Sequence, residues 1–345
     1  MARGVNSLSA RGRILSGLCE MPKFSTAFGI RKTQAELDFV DVSLRTDNLL
    51  FVDPFALSQR RDRWSQEAHR TVVTFFQHLV DEIRAGHDVR ARQLLGNLRE
   101  PNETRLGYSA RRPQGAGIGD MQADELFRAL NESAAVREGF ITSLEETELM
   151  IDGISYDKIS DLTTNIIRSH LADYTAEQCN LHAVNVHQVG MPPCFNTDVM
   201  EWEARYLNLP LYRNSPVLLV PKSIVRGNPA YQQQRYYQHF VLNFLQREEL
   251  SNPGSRLVRT LKDQRRVVYK KDLGTRYPRT KGFLYDFSRE HPEVLHGFRE
   301  WLAADDARRM TSEVDQEDEA FIAARWWKCC SIFPREAKGP PSITG

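Results

Sequence analysis

The stretch EETELMIDGISYDKISDLTTNIIRSHLADYTAEQCNL, residues 145–181, decides how the rest of the chain is read. Glu148, Leu149, Met150, Ile151 and Ile154 suit a buried or half-buried strand, and Gly153 permits a bend after it. Ser160 or Asp161 then reads as the N-cap of a helix of roughly five turns, along which Leu162, Ile166, Ile167, Leu171 and Tyr174 recur at helical spacing. Asp152, Asp157 and Asp161 crowd into this corner, and two readings of them stand side by side. As a cap, Asp161 accepts backbone N–H bonds and sits well at the positive end of the helix dipole. As ligands, Asp152, Asp157 and Asp161 hold a divalent cation such as magnesium, which takes oxygen ligands and keeps several waters.

Outward from that corner, composition sets bounds. The chain has 345 residues, 41% of them hydrophobic and 26% charged, a globular balance able to bury a core. A net charge of +1 excludes a global field for nucleic acid or membrane, so any electrostatic footprint is local. Five cysteines, an odd number, with no long apolar run or secretory signal, fit a reducing cytoplasmic setting without a membrane. Residues 1–34, where Arg3, Arg11, Arg13 and Lys23 face only Glu20, read as a flexible leader or a transit peptide outside the fold. Residues 334–345 read as a disordered tail, and 35–333 as one mixed domain with a sub-boundary near 225.

Glu36–Val42 and Asn48–Phe55 read as strands, the second ended by Pro54, with Asp53 at its end as a turn cap or a catalytic acid. Thr71–Ala85 carries Val72, Phe75, Phe76, Leu79, Val80 and Ile83, a stripe wide enough to face a core. Arg111, Arg112, Gly115, Gly117 and Gly119 precede a helix from about Gln122. They read either as a flexible loop or as a phosphate-binding loop whose backbone N–H groups meet an anion. Glu100 and Glu103 are further carboxylates that could join the aspartates in space. Zinc is not expected, because Cys179, His182, His187 and Cys194 lack the spacing of structural sites.

Trp202–Leu211 reads as an aromatic-rich linker, and Val217–Val220 as the clearest buried strand, with Lys222 just past Pro221. A lysine beside carboxylates steadies developing phosphorane charge in metal-dependent nucleases, but the acid two residues earlier in such motifs is Val220 here. Lys222 is equally a solvated strand end. Tyr231–Leu250 reads as a core-facing helix. Arg256, Arg259, Lys262, Arg265, Arg266, Lys270 and Lys271 form the strongest basic segment, either a nucleic-acid patch or a solvated helix face with a loop after it. Acids from Asp305 to Glu319 are expected to pair with that patch, within the monomer or in a partner, and so gate it, and Phe321, Ile322, Trp326 and Trp327 suggest a last helix docked on the body or on another subunit.

The motifs LDFVDVSL, LFVDPFAL, LREPNETRLGYS, DGISYDKISDLTTNII and LLVPKSIV resemble a group of uncharacterised bacterial proteins over roughly 36–300. The resemblance implies a bacterial cytosolic origin and an association with phage defence; it carries no catalytic residues with it. The expectation is therefore an α/β fold, a central mixed sheet covered by helices with a helical C-terminal section. Its leading function is a magnesium-dependent nuclease in which Asp157, Asp161 and Lys222 are catalytic. The alternative is a non-catalytic sensor or scaffold that binds a partner protein, another copy of itself, or nucleic acid.

Overall fold

Helices form where the apolar stripe keeps a period near 3.6. The computed structural model describes residues 22–46, 48–107 and 117–311. Its longer helices are Arg63–Arg84 (α1), Asp88–Leu95 (α2), Gly117–Glu132 (α3), Tyr156–Ile166 (α4), Arg168–Leu181 (α5), Leu242–Ser251 (α6), Lys270–Arg276 (α7), Lys281–Glu290 (α8) and Pro292–Thr311 (α9). Asp62 caps α1 by accepting from the Ser65 N–H at 2.8 Å, and the stripe expected on it is buried. Arg111, Arg112 and Gly115, the acids from Glu313 onward, Phe321, Ile322, Trp326 and Trp327, and the expected tail lie outside the described residues, as does most of the expected leader.

The class is mixed, 52% helix and 12% strand, and helix packing therefore carries the core. The strands do not gather into the expected central sheet. Among the described residues they form five antiparallel ribbons of two strands each, such as Phe51–Val52 with Val225–Arg226 and His187–Gly190 with Tyr206–Leu209. Strands this short satisfy few backbone groups, and side chains do the rest. The Val52 N–H donates to the Ser160 hydroxyl at 2.9 Å, and the Leu219 N–H to the Thr175 hydroxyl at 2.9 Å. Val217–Val220 is buried and extended as expected, but it belongs to no ladder; Leu218 donates instead to the Glu103 carbonyl at 2.9 Å. Glu36–Val42 likewise meets its neighbours through single bridges, Phe39 opposite Pro221. The expected linker at 202–211 contains the strands Glu201–Glu203 and Tyr206–Leu209.

Two apolar clusters result. The larger runs from Val52 to Leu302 and joins α1, α4 and α5 to the C-terminal helices. The smaller gathers Phe24, Leu37, Phe39, Cys179, Val217 and Leu219.

The deciding stretch folds differently from its expectation. Residues Thr147–Met150 close a helical turn, because Ile151 N–H reaches the Thr147 carbonyl at 2.9 Å and the Thr147 hydroxyl reaches that of Leu144 at 2.6 Å. A short apolar run fits a buried turn as well as a strand. Gly153 makes the bend with φ +81°, a backbone region that favours glycine. Ser155, extended at φ −103° and ψ 164°, caps α4 in place of Ser160 or Asp161, and both of these lie inside the helix. The helix then breaks at Ile167, so one expected helix is two, and the fully buried Arg168 opens the second.

Candidate functional site

Asp161 stands one turn along α4 from Asp157, and the two carboxylates share a helix face. The segment holding Glu100 and Glu103 packs alongside, since Asn165 Nδ2 donates to the Arg99 carbonyl at 2.6 Å. Burial pushes the Asp161 carboxyl up to about 8, and the charges of Asp157, Glu100 and Glu103 add to the rise. Glu100 and Glu103 thus lie close enough for their charges to be felt at Asp161. Asp152 does not: it is exposed past the turn, and its charge is felt by Lys281 of α8. The acids near Asp161 repel one another at a distance rather than converging. Among the described residues, no three His, Cys, Asp or Glu side chains are placed to hold one metal ion. As a triad of ligands, Asp152, Asp157 and Asp161 are therefore not assembled.

Arg168 anchors this region. Its guanidinium reaches Glu103 Oε1 at 3.1 Å, Asn165 Oδ1 at 2.5 Å and the Pro193 carbonyl at 3.1 Å. Each side-chain nitrogen thus meets an acceptor, which a buried charge needs if it is not to destabilise the fold. Lys222 opens a short 3-10 turn and donates to the Ala35 carbonyl at 3.0 Å. That contact ties it to the N-terminal segment. Gly117 and Gly119 lie in the first turns of α3, where the expected loop has already become helix. Cys179 is buried in the smaller cluster and its thiol is raised to about 11 by burial, a poor starting point for a thiolate ligand.

A second buried charge centre was not legible in the sequence. Asp53 caps Pro54–Ser58 through the Phe55 N–H at 2.9 Å and pairs with Arg226 at 2.8 Å. Arg226 also pairs with Asp306 of α9, which in turn holds Arg60 at 2.9 Å. Asp305 and Asp306 therefore face Arg235, Arg308, Arg226 and Arg60 rather than the basic segment. Nearby, burial pushes the Glu145 carboxyl up to about 8, with Glu146 and Asp53 adding to the rise.

The basic segment is a hairpin that leads into a helix, with Lys270 and Lys271 in the first turn of α7. Arg259–Thr260 and Arg266–Val267 pair as a hairpin, turned by Gln264 at φ +64°, and α7 follows directly. Arg259 pairs with Asp272 at 2.7 Å and Arg265 with Asp263 at 2.6 Å. Lys270 donates to the Gln238 carbonyl at 2.7 Å. Arg256, Lys262, Arg266 and Lys271 are exposed and meet no carboxylate among the described residues. Tyr269, 46% exposed, lies beneath the Arg259 guanidinium at 5.4 Å. Among the described residues the hairpin thus presents uncompensated positive charge beside an exposed aromatic ring.

A family model described as a domain of unknown function, DUF8370, matches residues 29–232. The chain belongs to the DUF8370 family. The DUF8370 match includes the acidic face of α4 and the buried Arg168, while the basic hairpin and α6–α9 follow it in sequence. No curated protein and no solved structure matches the chain. Among the described residues, no helix is long and apolar enough to cross a membrane.

Proposed function

We propose that the protein binds nucleic acid through the phosphate backbone, with the hairpin and α7 as the contact surface. One observation carries this reading: among the described residues Arg256, Lys262, Arg266 and Lys271 are exposed without a carboxylate partner, on an element where Asp263 and Asp272 are already engaged. Unpaired cations gain by releasing counterions condensed on a polyanion, whereas paired ones must first lose their partner. The test is titration of a fluorescent oligonucleotide with the protein and with Lys262→Glu/Arg266→Glu. The reading expects affinity to fall at least tenfold in the variant; equal affinity contradicts it.

A second reading has its own support. Asp161 carries a raised carboxyl pKa beside three other acids, an arrangement that a divalent cation would relieve. Under it, Asp157, Asp161 and Glu100 would hold magnesium, which would supply an activated water for phosphodiester hydrolysis. Cleavage of plasmid or RNA with magnesium, lost in Asp161→Asn and absent in chelator, is its expected outcome. An uncut substrate, together with a melting temperature indifferent to magnesium, removes it.

A further inference from the structure

The helical run from Gln233 to Ser251 is interrupted at Tyr237–Val241 by a π turn, a geometry that widens a helix locally and recurs at functional sites. Facing this turn, α6 and α9 leave an open groove of about 930 Å3. Phe240, Phe244 and Val294 give it an apolar floor, with Asn243, Gln246 and Arg247 on its rim. Phe244 is held from behind by Phe287 at 5.5 Å and His291 at 4.3 Å, which fixes the ring. Arg247 is exposed and meets no carboxylate among the described residues.

The groove adjoins the basic surface. Gln246 lines it and also donates to the Val268 carbonyl at 2.5 Å, at the foot of the hairpin. Lys270 grips the π turn itself at Gln238. A second feature keeps the groove open. Gly297 lines it from α9, and a Cβ built there meets nothing within 4 Å. A glycine inside a helix costs about 1 kcal/mol relative to alanine. No neighbour here demands its lack of side chain, and a larger residue at this position would project into the groove.

We infer that this groove receives an unpaired base of a single-stranded nucleic acid whose phosphates lie on the adjacent hairpin, an inference that rests on the phosphate-binding reading above. Fixed aromatic rings beside a cationic track are what single strands use, since every base has a π face to stack. The bases of a duplex are already stacked and cannot enter. Glu248 and Glu293 line the groove and can accept both N–H donors of an exocyclic amine, whereas thymine presents them only its ring N3–H. The carboxylates thus favour an amino-bearing base, with Arg247 placed for its phosphate.

The test uses the full chain with fluorescent dC20, dT20 and a 20-base-pair duplex at pH 7.5. Wild type is expected to bind dC20 at least fivefold more tightly than dT20 or duplex. Gly297→Leu, which fills the groove and favours helix, is expected to bring dC20 down to the dT20 level while its melting temperature holds. Asn243→Trp, filling the groove from the facing helix at an exposed position, does the same if Gly297→Leu fails to fold. Both folded variants binding dC20 as wild type does, or equal affinity for all three probes, overturns the inference while the hairpin reading stands. Loss of all binding in Lys262→Glu/Arg266→Glu, with the groove variants silent, separates the two claims; no binding by wild type sinks both.

Discussion

Arg168 and Arg266 are the same residue type in opposite circumstances. Arg168 is fully buried, and its guanidinium finds Glu103, Asn165 and the Pro193 carbonyl. Arg266 stands exposed on a hairpin with no carboxylate of the described residues against it. Burial compels pairing, because an uncompensated charge in the interior costs several kcal/mol; exposure compels nothing. Charge inside the DUF8370 region is therefore spent on holding α4, α5 and the segment around Glu103 together. Charge on the hairpin is left over, and it is what a polyanion can use.

The sharpest way to break this comparison is to remove one buried partner. Arg168→Ala is expected to lose about 3–5 kcal/mol of unfolding free energy, because Glu103 and Asn165 are then left facing each other without the cation. Urea unfolding measures it, and a loss under about 1 kcal/mol would mean that the buried contacts are dispensable.

A smaller effect concerns protons. Asp161 has a folded-state pKa of about 8, above its unfolded value of 3.8. The folded protein therefore holds more protons than the unfolded chain between those values, and stability falls as pH rises through that window. Glu145, also at about 8, acts in the same direction. Melting temperature should drop from pH 5 to pH 8, and Asp161→Asn should flatten the drop. A variant with an unchanged pH slope would place the raised pKa elsewhere.

Smallest of all should be the structural cost of charge on the hairpin. Lys262→Glu/Arg266→Glu is expected to shift stability by no more than about 0.5 kcal/mol, the usual range for surface changes away from special contacts. A large loss would show that these side chains hold the hairpin together instead of serving a partner.

These contrasts also mark what could be read from sequence. The stripe of α1 was legible because Val72, Phe75, Phe76, Leu79 and Val80 keep one period over several turns. The break between α4 and α5 was not, since Ile166 and Ile167 continue the apolar pattern straight through it. The central sheet was expected because buried extended runs such as Val217–Val220 look like ladder strands. Here their N–H groups are taken by Thr175 and by carbonyls outside any ladder, a solution without sequence periodicity. The acidic face was half legible: Asp157 and Asp161 declare themselves by spacing, but the segment of Glu100 and Glu103 is brought alongside by the Asn165–Arg99 and Arg168–Glu103 contacts, about 65 positions apart in sequence. The Asp53–Arg226–Asp306 chain links residues still farther apart; the sequence marked Asp53 as a turn cap but gave no sign of its partners. The basic segment was visible as composition. Its hairpin was not, because two-residue strands are too short to alternate.

The central claim is that exposed, unpaired cations on the hairpin take phosphates. Its most direct test is the salt dependence of binding to a single-stranded oligonucleotide, for wild type and for Arg256→Ala/Lys262→Ala/Arg266→Ala/Lys271→Ala. Every phosphate that the variant no longer neutralises should reduce the slope of log K against log salt by about 0.7, so the variant should be flatter by up to about 3. Equal slopes for the two proteins would contradict the account.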